Sequence, residues 1–327
     1  MAFDEDCAQL ATILRDYRGT PADPATAGAA HVRRWAEQLP EDKRRPVVKE
    51  LIRVFSKTYF SQTAATAFFR GVITDSKLTA GNHAEFWRGV RILNGDRVDA
   101  DPNGLLAIFE RVLREECGLS IADTGRRKAH RYIYIADAVY SGARLRADLA
   151  AFARGLTAPS AKVTVIAFAT HQLAISAIEQ MLDCIAKSYR KTIEVDYITK
   201  LTFEDRKSGG RDADVLRPKA VSPLAEAYFA SMRAAPLLRT GRGVGNLRLY
   251  SSPQARDLLE GALLDAGIEA LRRSRAKPQH LRPLGASLFD GAGFGAMLVT
   301  YRAIAPHCPL ALWASDGWYP LLPRPTH

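Results

Sequence analysis

Asp137, Tyr140, Ser141, Gly142, Ala143 and Arg144 bring a carboxylate, two hydroxyls, a small-residue turn and a guanidinium into one short stretch. Before them, Tyr132-Ile133-Tyr134-Ile135 is an apolar run of aromatic and β-branched residues, suited to a buried strand of a parallel sheet that stops at Asp137. After them, Leu145, Leu149 and Phe152 recur at helical spacing. A strand that turns through Ser-Gly into a helix aims backbone N–H groups and the positive end of the helix dipole at the turn, which favours an anion there. Ligands of open α/β sheets gather outside this edge, at the carboxyl ends of the strands. The same residues also allow a purely structural reading, with Asp137 capping the turn and Ser141 serving as an ordinary N-cap.

Other chemistry-bearing residues are scattered. His171 follows the strand-like run Lys162 to Ala169, where it could act as a base, contact a phosphate or simply hold structure. Glu204 and Asp205 stand at the root of the most polar segment, residues 203–222, which reads as a surface loop. Arg239 to Asn246 (Arg-Thr-Gly-Arg-Gly-Val-Gly-Asn) combines glycines with forked donors, a composition able to bind phosphate or to serve as a plain linker. No Gly-x-Gly-x-x-Gly fingerprint opens a strand-helix unit, which leaves little support for a dinucleotide site.

The elements that must position these residues divide into two kinds. From Asp4 to about Leu113 the pattern is helical almost throughout, with Leu10, Leu14 and Tyr17 on one face and Val32, Trp35 and Leu39 on a second helix. Residues 21–29 connect them, Pro46 marks a helix start, and Val47, Leu51, Phe55 and Tyr59 form a stripe. Phe86, Trp87, Val90 and Ile92 resume the helical pattern after Gly81-Asn82, and Gly118 ends the helix that carries Leu105 to Leu113. From Tyr132 the rhythm is strand, helix, strand, helix, with a third strand at Thr192 to Leu201. Helices at Pro223 to Met232 and from Pro253 follow. The Gly-rich stretch Leu284 to Gly295 then leads to strands at Ala296 to Tyr301 and Pro309 to Trp313, with Trp318 and Tyr319 in a Pro-rich tail that packs on the core. The fold class is α/β, a parallel-sheet core in residues 126–327 behind a largely helical N-terminal region, 1–125.

Composition narrows the setting. A chain of 327 residues with 47% hydrophobic content can build one large domain or two ordinary ones. Cys7, Cys117, Cys184 and Cys308 lie far apart without metal-ligand spacing and read as small core residues in a reducing cytoplasm. No apolar run approaches the roughly 18 residues of a membrane span, and the start is acidic rather than signal-like. A net charge of +11 draws the protein towards polyanions such as nucleic acid, although the basic clusters (Lys43 to Arg45, Arg126 to Lys128, Arg272 to Lys277) are short enough to be solvated helix ends.

The strand, Asp137 and Ser-Gly turn resemble the ribose-phosphate loop of type I phosphoribosyltransferases, in which four apolar residues precede two acids and a Thr-Gly or Ser-Gly loop. The resemblance implies that Asp137 holds ribose hydroxyls and that Tyr140, Ser141, Gly142, Ala143 and Arg144 surround a 5′-phosphate, with Mg2+ the accompanying cation; His171, by its place beyond the next strand, is a separate candidate ligand contact. Ala136 stands where the first acid would be, and no segment before Tyr132 looks like a pyrophosphate loop. Over most of its length the chain is similar to phosphoribosyltransferase-like proteins of bacterial conflict systems, anti-phage loci that include some retrons. The shared stretches are His31-Val32-Arg33-Arg34-Trp35, Lys57-Thr58-Tyr59-Phe60-Ser61 and Glu85-Phe86-Trp87, then the Ile135 to Leu145 loop and the block from Pro283 to Leu321. Ala136 and Val139 depart from the Asp-Asp-Phe usual in such members. The resemblance implies a toxic effector that acts on a phosphoribosyl compound or nucleotide at its C1–N or C1–O bond, held silent by a nucleic-acid or reverse-transcriptase partner. The alternative is a catalytically degenerate nucleotide- or nucleic-acid-binding sensor or scaffold. The helical N-terminal half argues against a housekeeping nucleobase-salvage enzyme.

Overall fold

The computed structural model describes residues 2–18, 28–95, 104–125, 131–205, 213–232, 238–239, 245, 247–275, 280–287 and 291–324. Helices α1 (Ala2–Ile13), α2 (Ala29–Ala36) and α3 (Glu41–Thr58) open the chain and lead into the strand β1 (Tyr59–Phe60). Next come α4 (Gln62–Ile73), α5 (Ser76–Thr79), α6 (His83–Gly89), β2 (Val90–Ile92) and α7 (Leu105–Cys117). A regular alternation follows: β3 (Arg131–Val139), α8 (Ala143–Gly155), β4 (Ser160–His171), α9 (Gln172–Tyr189) and β5 (Thr192–Phe203). The described elements end with α10 (Pro223–Ala230), α11 (Pro253–Arg273), β6 (Val299–Thr300) and α12 (Leu310–Trp313). This is the expected α/β class with parallel strand pairing.

The chain divides into two compact units: Gln62–Thr202, and Met1–Ser61 together with Phe203–His327. The N-terminal helices α1 to α3 therefore pack with the C-terminal segment, whereas the sequence reading set its boundary between 125 and 126.

The unit Gln62–Thr202 is built on a four-stranded sheet in the order β2-β3-β4-β5, with β2, β3 and β4 mutually parallel. Side chains alternate across a strand, so each face of β3 and β4 carries its own set. On one face Tyr134, Val163, Val165 and Ala167 pack against Leu145, Leu149 and Ala153 of α8 and Ala174, Ile178 and Ile185 of α9. On the other, Phe168 meets Phe68 and Phe69 of α4, and Phe69 and Trp87 meet Phe109 of α7, all edge-on or tilted at 5.4–5.6 Å between ring centroids. Helices thus cover both faces, which is what a parallel sheet of continuous apolar strands requires.

In the other unit, β1 and β6 form a short parallel pair, Tyr59 opposite Val299 and Phe60 opposite Thr300. Trp35 and Trp318 both donate their indole N–H to the Ala311 carbonyl, at 2.7 and 2.9 Å, and Trp318 of the tail is buried in the core as expected. A buried ionic network crosses this unit: Glu260 accepts from Arg256 at 2.8 Å and from Arg239 at 3.0 Å, and Arg239 also pairs with Asp257. Breaking such a buried pair by removing one partner costs about 3–5 kcal/mol.

Several local expectations are corrected. Val90 and Ile92 lie on the edge strand β2, not on a helix, because three residues are too few for a period to show. Pro46 sits inside α3, which begins at Glu41 after Pro40 at the N-cap. Leu310 to Trp313 is a single helical turn behind Pro309 rather than a strand, and of Ala296 to Tyr301 only Val299 and Thr300 pair as strand. β3 continues through Asp137 to Val139. The loop 21–29 falls mostly outside the described residues, as do Arg126 to Lys128 and most of residues 240–246. The four cysteines are free thiols; Cys7 and Cys308 are core residues, while Cys184 is exposed. Among the described residues no helix is long and apolar enough to cross a membrane.

Candidate functional site

The turn from β3 into α8 stands at the carboxyl edge of the sheet. Gly142 is the N-cap of α8 with φ +69°, a left-handed conformation that costs about 1–2 kcal/mol for a residue with a Cβ. A Cβ here would lie 3.3 Å from Ala174 Cβ and Ile178 Cδ1, so α9 also presses on this position. Arg146 N donates to Gly142 O at 2.8 Å and starts the helical ladder. No side chain caps α8. Ser141 Oγ reaches only Ala143 N, at a marginal 3.5 Å, so the first turn of α8 has no good side-chain cap beside the exposed Ala143 and Arg144. Ser141 is therefore not the N-cap, and the turn has the open donors that suit an anion.

Asp137 is half-buried near the end of β3. Alternation puts it on the face of Ile133 and Ile135, while Ala136 points the other way and packs against the α8 and α9 cluster. This gives a physical reason for the missing first acid: a carboxylate at 136 would enter an apolar layer and lose its hydration. Asp137 buries its Oδ1, whereas Ala143 and Arg144 at the head of α8 are exposed.

Strand register sets Val139 opposite Thr170, so Tyr140 and His171 leave the sheet side by side at the same edge. His171 is buried, caps α9, and accepts from Leu173 N through Nδ1 at 3.3 Å. That bond gives the ring a structural duty and fixes Nδ1 as the acceptor. The edge thus gathers Asp137, Tyr140 to Arg144 and His171 from two neighbouring strands.

Of the two acids at the root of the polar loop, Asp205 uses its carboxylate and Glu204 its backbone within their own unit. Asp205 is buried and pairs with Arg217 at 2.6 Å, and Glu204 N donates to Asp214 at 2.9 Å. Burial raises the Asp214 carboxyl, partly offset by donation from the backbone of Glu204 and Leu247. Arg239, read as the start of a Gly-rich linker, is a buried member of the Glu260 network. In the C-terminal Gly-rich block a Cβ on Gly285 would lie 2.4 Å from His307 O, and one on Gly293 2.6 Å from Gly285 O. Those glycines serve close backbone packing.

A family model described as PRTase-CE matches residues 32–324. The chain belongs to the PRTase-CE family. It is a phosphoribosyltransferase-like protein, and the match takes in residues of both compact units, from within α2 to the C-terminal block. No curated protein and no solved structure gives a match. Among the described residues of this PRTase-CE chain, no group of three or more His, Cys, Asp or Glu side chains could hold a metal ion. The sequence reading missed one feature of the sheet unit, a cavity beside Tyr132, Tyr134 and Asp148. Its signal was Tyr132 and Tyr134 two residues apart, hence on one face of a strand.

Proposed function

We propose that this PRTase-CE protein binds a 5-phosphoribosyl compound or nucleotide at the turn after β3 and acts on its C1–N or C1–O bond. The observation that carries the reading is the uncapped start of α8: a left-handed glycine, open N–H groups and Arg144, one strand-end away from Asp137. The phosphate would sit on residues 141–144 and Asp137 would accept from ribose hydroxyls. In the reaction, the leaving group takes the C1 bond pair, positive charge spreads over C1 and the ring oxygen, and the acceptor donates a pair to C1. Asp137 places the ribose for this step and its charge favours the cationic ring. Mg2+ usually joins such sites through one or two carboxylates plus the substrate's own phosphates, so Asp137 is the residue that would share it. As in the conflict-system proteins it resembles, the activity would be that of a toxic effector restrained by a partner.

A second reading rests on Ala136. With one acid in place of two, the edge could hold a ligand without turning it over, as a sensor or scaffold does. One experiment separates them: expression toxicity, and turnover of 5-phosphoribosyl pyrophosphate and nucleotides, in the wild type and Asp137→Asn. The enzyme reading expects Asp137→Asn to abolish both while keeping the fold; equal toxicity in the two proteins removes it.

A further inference from the structure

The unit Gln62–Thr202 contains a cavity of about 890 Å³ between α8 and the β2 edge of the sheet, within the range of about 300–1,000 Å³ typical of small-molecule sites. None of Asp137, Tyr140 to Arg144 or His171 lines it. Its α8 lining runs from Asp148 to Gly155, about 10 to 20 Å along the helix axis from the Ser141 turn. The two places are thus separate, and the lining chemistry of the second is different.

Tyr132 and Phe152 form one wall, with ring centroids 4.6 Å apart in an edge-on arrangement that leaves ring surface towards the cavity. Tyr134, almost fully buried, donates its hydroxyl to Asp148 Oδ2 at 2.7 Å and so fixes that carboxylate. Glu110 adds a second carboxylate, held by Arg114 at 3.1 Å. The last turn of α8 also borders the space and presents the negative end of its dipole. Arg91 is the cation among the lining residues, and its side chain is exposed at the rim.

We propose that this cavity is a second binding site for a planar heterocycle carrying N–H donors, of nucleobase or nucleoside type. The ring would pack on Tyr132 and Phe152, and exocyclic N–H groups would donate to Asp148 and Glu110. Two carboxylates and a helix C-terminus disfavour phosphate, so this cavity selects against the anion that the Ser141 turn favours. The inference does not rest on the function proposed for that turn.

Isothermal titration calorimetry of the full chain with adenosine, guanosine and cytidine tests it. At least one nucleoside binds the wild type, and Asp148→Asn and Phe152→Leu each weaken it by about tenfold, equivalent to about 1.4 kcal/mol. Asp137→Asn leaves that affinity unchanged. Should Asp148→Asn not fold, Tyr134→Phe, which keeps the ring and removes the anchor of the carboxylate, replaces it and weakens binding in the same sense. The proposal is overturned if no nucleoside binds at millimolar concentration, if the folded Asp148 or Tyr134 variant binds as the wild type does, or if Asp137→Asn abolishes nucleoside binding.

Discussion

Gly142 shows how one residue couples fold and chemistry at the proposed phosphate turn. It has no Cβ, so it adopts φ +69° at the head of α8 and lets α9 approach. The same absence of a side chain leaves the first N–H groups of the helix open. Gly142→Ala is therefore expected to destabilise the protein by about 1–2 kcal/mol, the strain of a left-handed alanine, read as a lower urea midpoint. Ala136 is the converse case. Its neighbour Asp137 is half-buried on the opposite face, and the small apolar side chain at 136 is what the α8 and α9 layer accepts.

At the scale of elements, β4 ties the two helical layers together. Its even and odd positions face different layers, and Phe168 alone touches two rings of α4. Phe168→Ala removes a fully buried ring and is expected to cost about 3–5 kcal/mol, measurable by chemical denaturation. Loss of cooperativity, with the α4 and α7 layer melting first, would show as a smaller denaturant slope. Helix α11 is the matching support of the other unit, begun by Ser252 capping Ala255 N at 3.1 Å and by Pro253 at its first turn. Its Arg256 and Glu260 carry the buried ionic network, so this helix fixes charge as well as apolar surface.

For the whole molecule, acid is the informative perturbation. Burial, helped by Arg324, lowers the His307 imidazole from 6.5 to about 4. The unfolded chain takes up this proton below about pH 6.5 and the folded chain only below about pH 4, so stability is full at neutral pH and falls as pH drops through that window. The loss is about 3 kcal/mol at its end, and His307→Gln should flatten this limb in denaturation curves taken across the window. Much of this architecture was legible in the sequence. Residues 132–135 and 162–169 are strands because β-branched and aromatic runs of that length suit a buried sheet, 192–201 is a strand by its alternation, and the helices between them show a plain apolar stripe. The turn at Ser141-Gly142 was legible for the same local reason, since a strand, small residues and a helical stripe follow one another without a break. What only the tertiary structure decided is long-range. Val90 to Ile92 becomes a strand through β3, Leu310 to Trp313 becomes a helical turn, and the first 61 residues join the last 125 in one unit. Likewise Arg239 and Asp205 look like loop residues until Glu260 and Arg217 close on them. Periodicity reports a segment's own preference, whereas a two- or three-residue strand, a buried ion pair or a cavity exists only when distant partners supply the other half of the contact.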